Sequence, residues 1–261
     1  MPAEPDAEPR LVRHAVRVPA AEAETALVLL LDAFPDGLEE ERVGDVVELA
    51  GYLPAGVTPE VGGGLELRAS PVEPGWREAW RAFHRPVRMG RFWVGPPWCE
   101  PDADAEAVVI EPGAAFGTGA HGSTQAAAAL LLEREPGGAL LDIGCGSGVL
   151  AILAARLGWG PIQAVDVDLL AVAATRENAA RNGVALEAWQ ADALADPLPA
   201  VPFALANLER RLLEPLLVRG GLPPRVLVSG LLSDEPLDHA GWRAADRADR
   251  DGWRALLLER S

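Results

Sequence analysis

The chain has 261 residues, 49% hydrophobic and 24% charged, the balance of an ordinary folded protein with one large domain or two modest ones. No apolar run reaches the roughly 18 residues that span a bilayer, and the opening MPAEPDAEPR lacks the basic-then-apolar order of a leader, so neither anchor nor signal peptide is expected. A net charge of −16 argues against extensive nucleic-acid binding, and two cysteines, Cys99 and Cys145, fit a reducing cytoplasm better than a disulfide framework.

All 23 basic side chains are arginine, and they are unevenly spread. Residues 1–75 carry 5 Arg against 15 acids, 76–95 carry 5 against 1, and the remainder carries 13 against 23. A short segment of net +4 therefore separates two blocks of −10 each. Residues 1–10 are too polar and Pro-rich to pack and read as a frayed tail. Leu11–Val18 alternates as a strand does, and Ala20–Ala33 has helical spacing. Strand-like runs follow at Val43–Leu49 and Leu65–Ala69, between Gly/Pro-rich turns. Residues 11–75 thus read as a small α+β domain without clustered catalytic side chains, suited to recognising a substrate.

Residues 76–98 read as a linker helix and connection. Trp76, Trp80 and Phe83 share one helical face and Pro86 ends the helix; its arginines either lie in solvent or form a positive patch beside an active cleft. Within residues 99–261 the rhythm becomes strand, turn, helix. Strands are expected at Ala139–Ile143, Ile162–Val167, Leu186–Gln190, Phe203–Ala206 and Arg225–Ser229, and helices at Ser147–Leu157, Leu169–Asn182 and Glu209–Arg219. Such alternation builds a doubly wound, mostly parallel Rossmann-like sheet. Trp242–Ala245 and Trp253–Leu258, joined through Asp/Arg-rich turns, suit an antiparallel edge hairpin.

The sharpest local signal is Asp142-Ile143-Gly144-Cys145-Gly146-Ser147-Gly148, at a strand-to-helix turn. A dinucleotide fingerprint would place its third glycine at 149, which is Val. An acid just before G-x-G-x-G is instead the pattern that cradles the amino-acid part of S-adenosylmethionine, with Asp142, Gly144 and Gly146 as its contacts. Asp166 ends the next strand, where a carboxylate can accept both ribose hydroxyls; it can also simply cap the turn. Asp192 follows the third strand and reads either as an acceptor for the adenine amino group or as turn chemistry.

Ile110-Glu111-Pro112-Gly113-Ala114-Ala115-Phe116-Gly117-Thr118-Gly119-Ala120-His121-Gly122-Ser123-Thr124 resembles the E/D-P-G-x-A-F-G-T-G-x-H-x-T-T block of the PrmA family, which methylates protein eleven of the large ribosomal subunit. DIGCGSGVLAI, VDVD, ENAARNG and Ala206-Asn207-Leu208 follow in the family's order, strongly over about residues 75–230. The resemblance implies a cytoplasmic S-adenosylmethionine-dependent protein N-methyltransferase without a metal, acting on lysine and N-terminal amino groups of that ribosomal protein. It makes Thr124, Gly144, Asp166 and Asn207 cofactor contacts and Phe116, Gly117, Thr118 and Gly119 a loop over the methionine end. Physically, Gly117 and Gly119 would bring bare backbone to the ligand, while the Thr118 and Thr124 hydroxyls would bond its carboxylate or amine. Asn207 is the catalytic candidate, since its side-chain oxygen can orient a neutral amine; the other reading is a cap for the helix at Glu209. His121 is either a minor site residue or a loop histidine bonded to backbone.

The chain departs from the family's pattern in places. Phe203-Ala204-Leu205 lacks the usual acid, Glu209-Arg210-Arg211 is more charged, residues 231–241 are short for a crossover helix, and Ser123 replaces a threonine. Two alternatives remain open at this point: a methyltransferase of another protein or small amine, and a non-catalytic cofactor-binding module.

Overall fold

The computed structural model describes all residues except 1–10, 32, 35–37, 60, 73–83, 113–118 and 238–240. The expected tail, the linker helix carrying Trp76, Trp80 and Phe83, and the Phe116–Thr118 part of the loop fall outside the described residues. The chain divides into two compact units, Met1–Trp80 and Arg81–Ser261.

In the first unit β1 (Leu11–Pro19), α1 (Ala23–Leu31), β2 (Glu39–Val43), β3 (Val46–Pro54) and β4 (Arg68–Pro71) form an antiparallel sheet of order β2-β3-β1-β4 with one helix. Val16, Val18, Val47 and Leu49 pack with Leu30 and Phe34, and the Phe34 ring lies 2.2 Å from where a side chain at Gly51 would begin. The strand expected over Val43–Leu49 is instead a hairpin turning at Gly44-Asp45. β2 escaped notice because Glu39-Glu40-Glu41-Arg42 has no apolar alternation; it is an edge strand, where charge guards against stray pairing.

The second unit opens with β5 (Val87–Met89), β6 (Phe92–Gly95) and β7 (Glu106–Val109), a three-stranded sheet of order β5-β6-β7. Val87–Gly95, read from sequence as a connection, therefore pairs within this unit, and Met89, Phe92, Val94, Val108 and Ile110 enter its core. Then come α2 (Gly122–Leu132), β8 (Leu140–Ile143), α3 (Val149–Leu157), β9 (Ile162–Asp166), α4 (Leu169–Arg181), β10 (Glu187–Gln190), β11 (Phe203–Asn207), α5 (Arg210–Val218), β12 (Arg225–Leu232), β13 (Trp242–Arg250) and β14 (Trp253–Arg260). The large sheet has the order β10-β9-β8-β11-β12-β14-β13, parallel through β12 and antiparallel at β14 and β13. Its residues alternate between two cores. Phe203 and Leu205 of β11 pack with α2 and α3, and Ala204 and Ala206 pack with Leu213, Leu216 and Leu217 of α5. Burial on both faces explains the continuous apolar runs that made these strands legible.

Two expectations at the edge need adjusting. β13 continues through Arg250, because the Asp/Arg-rich stretch is edge strand rather than turn, and the reversal is Asp251-Gly252, both at positive φ. After β12 the chain turns at Ser233-Asp234, with no helix among the described residues of 231–241.

Candidate active site

Strand order reverses between β8 and β11, and ligands of doubly wound sheets bind beyond the carboxyl ends of the strands at such a point. A cavity of about 600 Å³ lies there, within the usual size of small-molecule sites. Thr124, Asp142, Gly144, Gly146, Asp166, Asp192 and Asn207 all line it. Gly119 does not. A side chain at Gly119 would begin 2.8 Å from Val94 Cγ1, and its φ of +92° also favours glycine.

The glycine turn is held from three sides. The Gly144 and Cys145 amides donate to the Val165 carbonyl at 2.8 and 3.1 Å, tying the turn to β9. The Gly146 amide donates to Asp166 Oδ2 at 3.0 Å, and the Asp168 amide donates to Asp166 Oδ1 at 3.0 Å. Thr175 of α4 donates to the Gly146 carbonyl at 2.9 Å and lies 3.2 Å from Cys145 Sγ. Asp166 thus does cap its turn, yet each oxygen keeps a lone pair for a further donor on the cavity side. Asp192 combines its two readings similarly: Oδ1 accepts from the Leu194 amide at 2.8 Å while the residue lines the cavity.

Asp142 is different in kind. It is 2% exposed, and its Oδ2 has no hydrogen-bond partner although it belongs to the cavity lining. Burial pushes its carboxyl up to about 7, the Ala151 backbone opposes that, and the nearby Asp166 charge adds to it. A buried carboxylate oxygen without a partner is costly, and a ligand carrying a cationic donor would satisfy it. Burial likewise raises the Cys145 thiol to about 12, which leaves it an inert wall of the turn.

On the opposite wall, Asn207 Nδ2 donates to Thr124 Oγ1 at 3.2 Å. Ser229 Oγ is 2.8 Å from the Ser123 carbonyl, which fixes the start of α2 beside β12. Asn207 is not the cap of α5; that position is Glu209, whose side chain makes no capping bond. Sequence reasoning missed what sets Asn207 in place. Leu208 follows it and is gripped between two glycines: a Cβ on Gly144 (φ +72°) would lie 2.3 Å from Leu208 Cδ2, and one on Gly230 (φ +94°) would lie 2.2 Å from the Leu208 carbonyl oxygen. The Gly230 contact is with backbone and leaves no space for a side chain, whereas at Gly144 the neighbour is the tip of the Leu208 side chain and the positive φ is what favours glycine. His121 caps α2, with Nδ1 2.8 Å from Ser123 Oγ, and its ring packs on Trp253 at 4.5 Å between centroids; burial lowers its pKa. Its structural reading is the one realised.

Among the described residues no group of acids, histidines and cysteines is arranged to hold a metal, and no helix is long and apolar enough to cross a membrane. The fold is similar to that of the ribosomal protein L11 methylase from Lactobacillus delbrueckii subsp. bulgaricus, with a TM-score of 0.61 at 25% identity over 68% of this chain and 100% of that one. The chain is accordingly a methyltransferase built on a Rossmann-like sheet. Residues 65–260 match the family model described as "Ribosomal protein L11 methyltransferase (PrmA)". A ribosomal protein L11 methyltransferase from Sorangium cellulosum is 34% identical over 96% of both chains, and one from Pseudomonas putida is 39% identical over 68% of this chain and 65% of its own. The chain belongs to the ribosomal protein L11 methyltransferase family.

Proposed function

We propose that the protein transfers methyl groups from S-adenosylmethionine to lysine and N-terminal amino groups of ribosomal protein L11 in the cytoplasm. The observation that carries this reading is the unpartnered Asp142 Oδ2 beside a side-chain-free glycine turn, in the same cavity as Asn207. An α-ammonium group suits Asp142, ribose hydroxyls suit the spare lone pairs of Asp166, and Asp192 lies on the side suited to an adenine amino group. Gly144 and Gly146 line the cavity where their backbone can meet the methionine end. When bound, the cofactor supplies a sulfonium methyl already activated for in-line displacement.

The protein's own task is to align the acceptor. A free lysine amine has a pKa of about 10.4 and must react neutral, a form that a desolvating cleft favours. Because Asn207 Nδ2 is engaged by Thr124, its Oδ1 is left to accept from the incoming amine and to stabilise the charge that develops on nitrogen. With the acceptor held this way, its lone pair would face the sulfonium methyl, and the proton of the ammonium formed would leave to water. The charged stretch after Asn207 does not oppose a cationic substrate: Arg211 pairs with Glu209 at 2.6 Å, and Arg210 pairs with Glu235 at 2.8 Å and Glu214 at 3.6 Å. The acidic residues 1–75 suit recruitment of a basic protein.

Incubating the purified chain with L11 and methyl-labelled cofactor tests the proposal. Label in L11, at amines on peptide mapping, is expected. An unlabelled L11 alongside measurable cofactor binding would remove that substrate and favour another protein or a small amine.

A further inference from the structure

The motif Glu177-Asn178-Ala179-Ala180-Arg181-Asn182-Gly183 lies outside the cavity lining, yet it holds an unusual arrangement. Thr175 and Asn178 of α4 and its C-cap residue Asn182 are spaced i, i+3, i+7, the spacing of an inward apolar stripe, but all three are polar and 0%, 1% and 7% exposed. Each is bonded to backbone outside its own helix. Thr175 takes the Gly146 carbonyl. Asn178 Nδ2 donates to the Ser147 carbonyl at 3.0 Å, while its Oδ1 accepts from the Glu111 amide at 2.9 Å. Asn182 accepts from the Val109 amide at 2.8 Å and donates to the Val109 carbonyl at 2.7 Å. On the same helix Arg181 pairs with the Glu111 carboxylate at 3.0 Å.

Asn178 is bonded both to the glycine turn, at Ser147, and to Glu111 beyond β7. One planar amide joins the glycine turn to the stretch that runs from β7 toward Phe116–Gly119, with a bond at each end. A side chain needed only to fill space there would be apolar, since a buried amide is tolerated only when fully bonded. We infer that Asn178 is a positioning residue that couples occupancy of the glycine turn to the placement of Val109–Pro112. The inference rests on the reading that S-adenosylmethionine binds in the cavity.

Hydrogen exchange of the full chain, with and without S-adenosylhomocysteine, tests it, after calorimetry has established binding. In the parent, the ligand should slow exchange in peptides covering 109–112 as well as 144–148. Asn178→Ala should bind within about threefold of the parent and keep the effect at 144–148, yet lose it at 109–112. Its turnover at saturating cofactor should fall by about tenfold to a hundredfold, the cost of misplacement without lost binding. Should Asn178→Ala fold poorly, Asn178→Asp keeps the acceptor for Glu111 and removes the donor to Ser147, and the same uncoupling is expected. A parent whose 109–112 exchange ignores the ligand, or folded variants that keep the response, would overturn the coupling. A parent that binds no ligand in calorimetry would overturn the cofactor reading itself.

Discussion

The two walls of the cavity are shaped by different forces. The wall from β8 and β9 is a web of hydrogen bonds, in which Val165, Asp166 and Thr175 each hold one piece of the glycine turn. The wall from β11 and β12 has bonds as well, from Asn207 to Thr124 and from the Leu208 amide to the Ser229 carbonyl, but it adds a constraint of excluded volume, with Leu208 packed against Gly144 and Gly230. Bonds can be removed one at a time, each at a cost of about 0.5–1.5 kcal/mol, or more when a charge is involved. A steric clamp has no such gradation: one added methyl moves the backbone.

Gly230→Ala should therefore be the most damaging single change. The new Cβ would lie 2.2 Å from the Leu208 carbonyl oxygen, at a φ of +94° that alanine adopts poorly. Left-handed strain and overpacking together should remove about 2–4 kcal/mol of stability in urea unfolding. Displacement of Asn207 should lower turnover by about a hundredfold, while cofactor affinity, set mainly by the other wall, changes far less. Near-normal turnover in the folded variant would show that the Leu208 step does not place Asn207.

A crossed pair sharpens the contrast. Asp166→Ala removes a ligand acceptor and frees the Gly146 and Asp168 amides, and should weaken cofactor binding by roughly 1.5–3 kcal/mol, read by calorimetry. Asn207→Ala should instead lower turnover at saturating cofactor by about tenfold or more, with little change in binding. If the two variants exchange these signatures, the walls have been assigned the wrong roles.

The hydrogen-bonded wall was the more legible of the two in the sequence, for a physical reason. In a doubly wound sheet every strand ends at the ligand edge, so an acid or glycine after an apolar run is placed almost by topology. Asp142, Gly144, Gly146, Asp166 and Asp192 all came from that rule and all line the cavity. The steric wall depends on contacts between residues far apart in the chain. Nothing around Gly230 announces that it will meet Leu208, and nothing local tells Asn207 to reach Thr124, 83 residues earlier, rather than cap α5. Short strands were lost for another reason. β5, β6 and β7 have three or four residues each, too few to show a period, and β2 is charged throughout its first four residues. Gly119 adds a packing contact, against Val94, that its place in a family motif did not announce.

Asp142 Oδ2 is a buried oxygen of the bonded wall without a hydrogen-bond partner, and the titration of Asp142 makes that deficit measurable. Burial raises its carboxyl to about 7, so the folded protein holds a proton that the unfolded chain, near pH 3.9, releases. Its contribution to stability is therefore fully present below about pH 3.9 and is lost as pH rises through 7. A cationic ligand reverses the preference by favouring the carboxylate. Binding near pH 6 should expel a proton, seen as a buffer-dependent heat in calorimetry, and affinity should climb with pH before levelling above about 7. Asp142→Asn, neutral throughout, should make the free protein more stable at pH 8 by on the order of 1–3 kcal/mol, since the uncompensated buried charge is gone. The same change should weaken cofactor binding by about tenfold and abolish the proton release, because a charge-assisted bond is worth roughly twice a neutral one. A parent that binds with the same heat in every buffer at pH 6 would place the cationic group away from Asp142, and the orphaned oxygen would then need another partner.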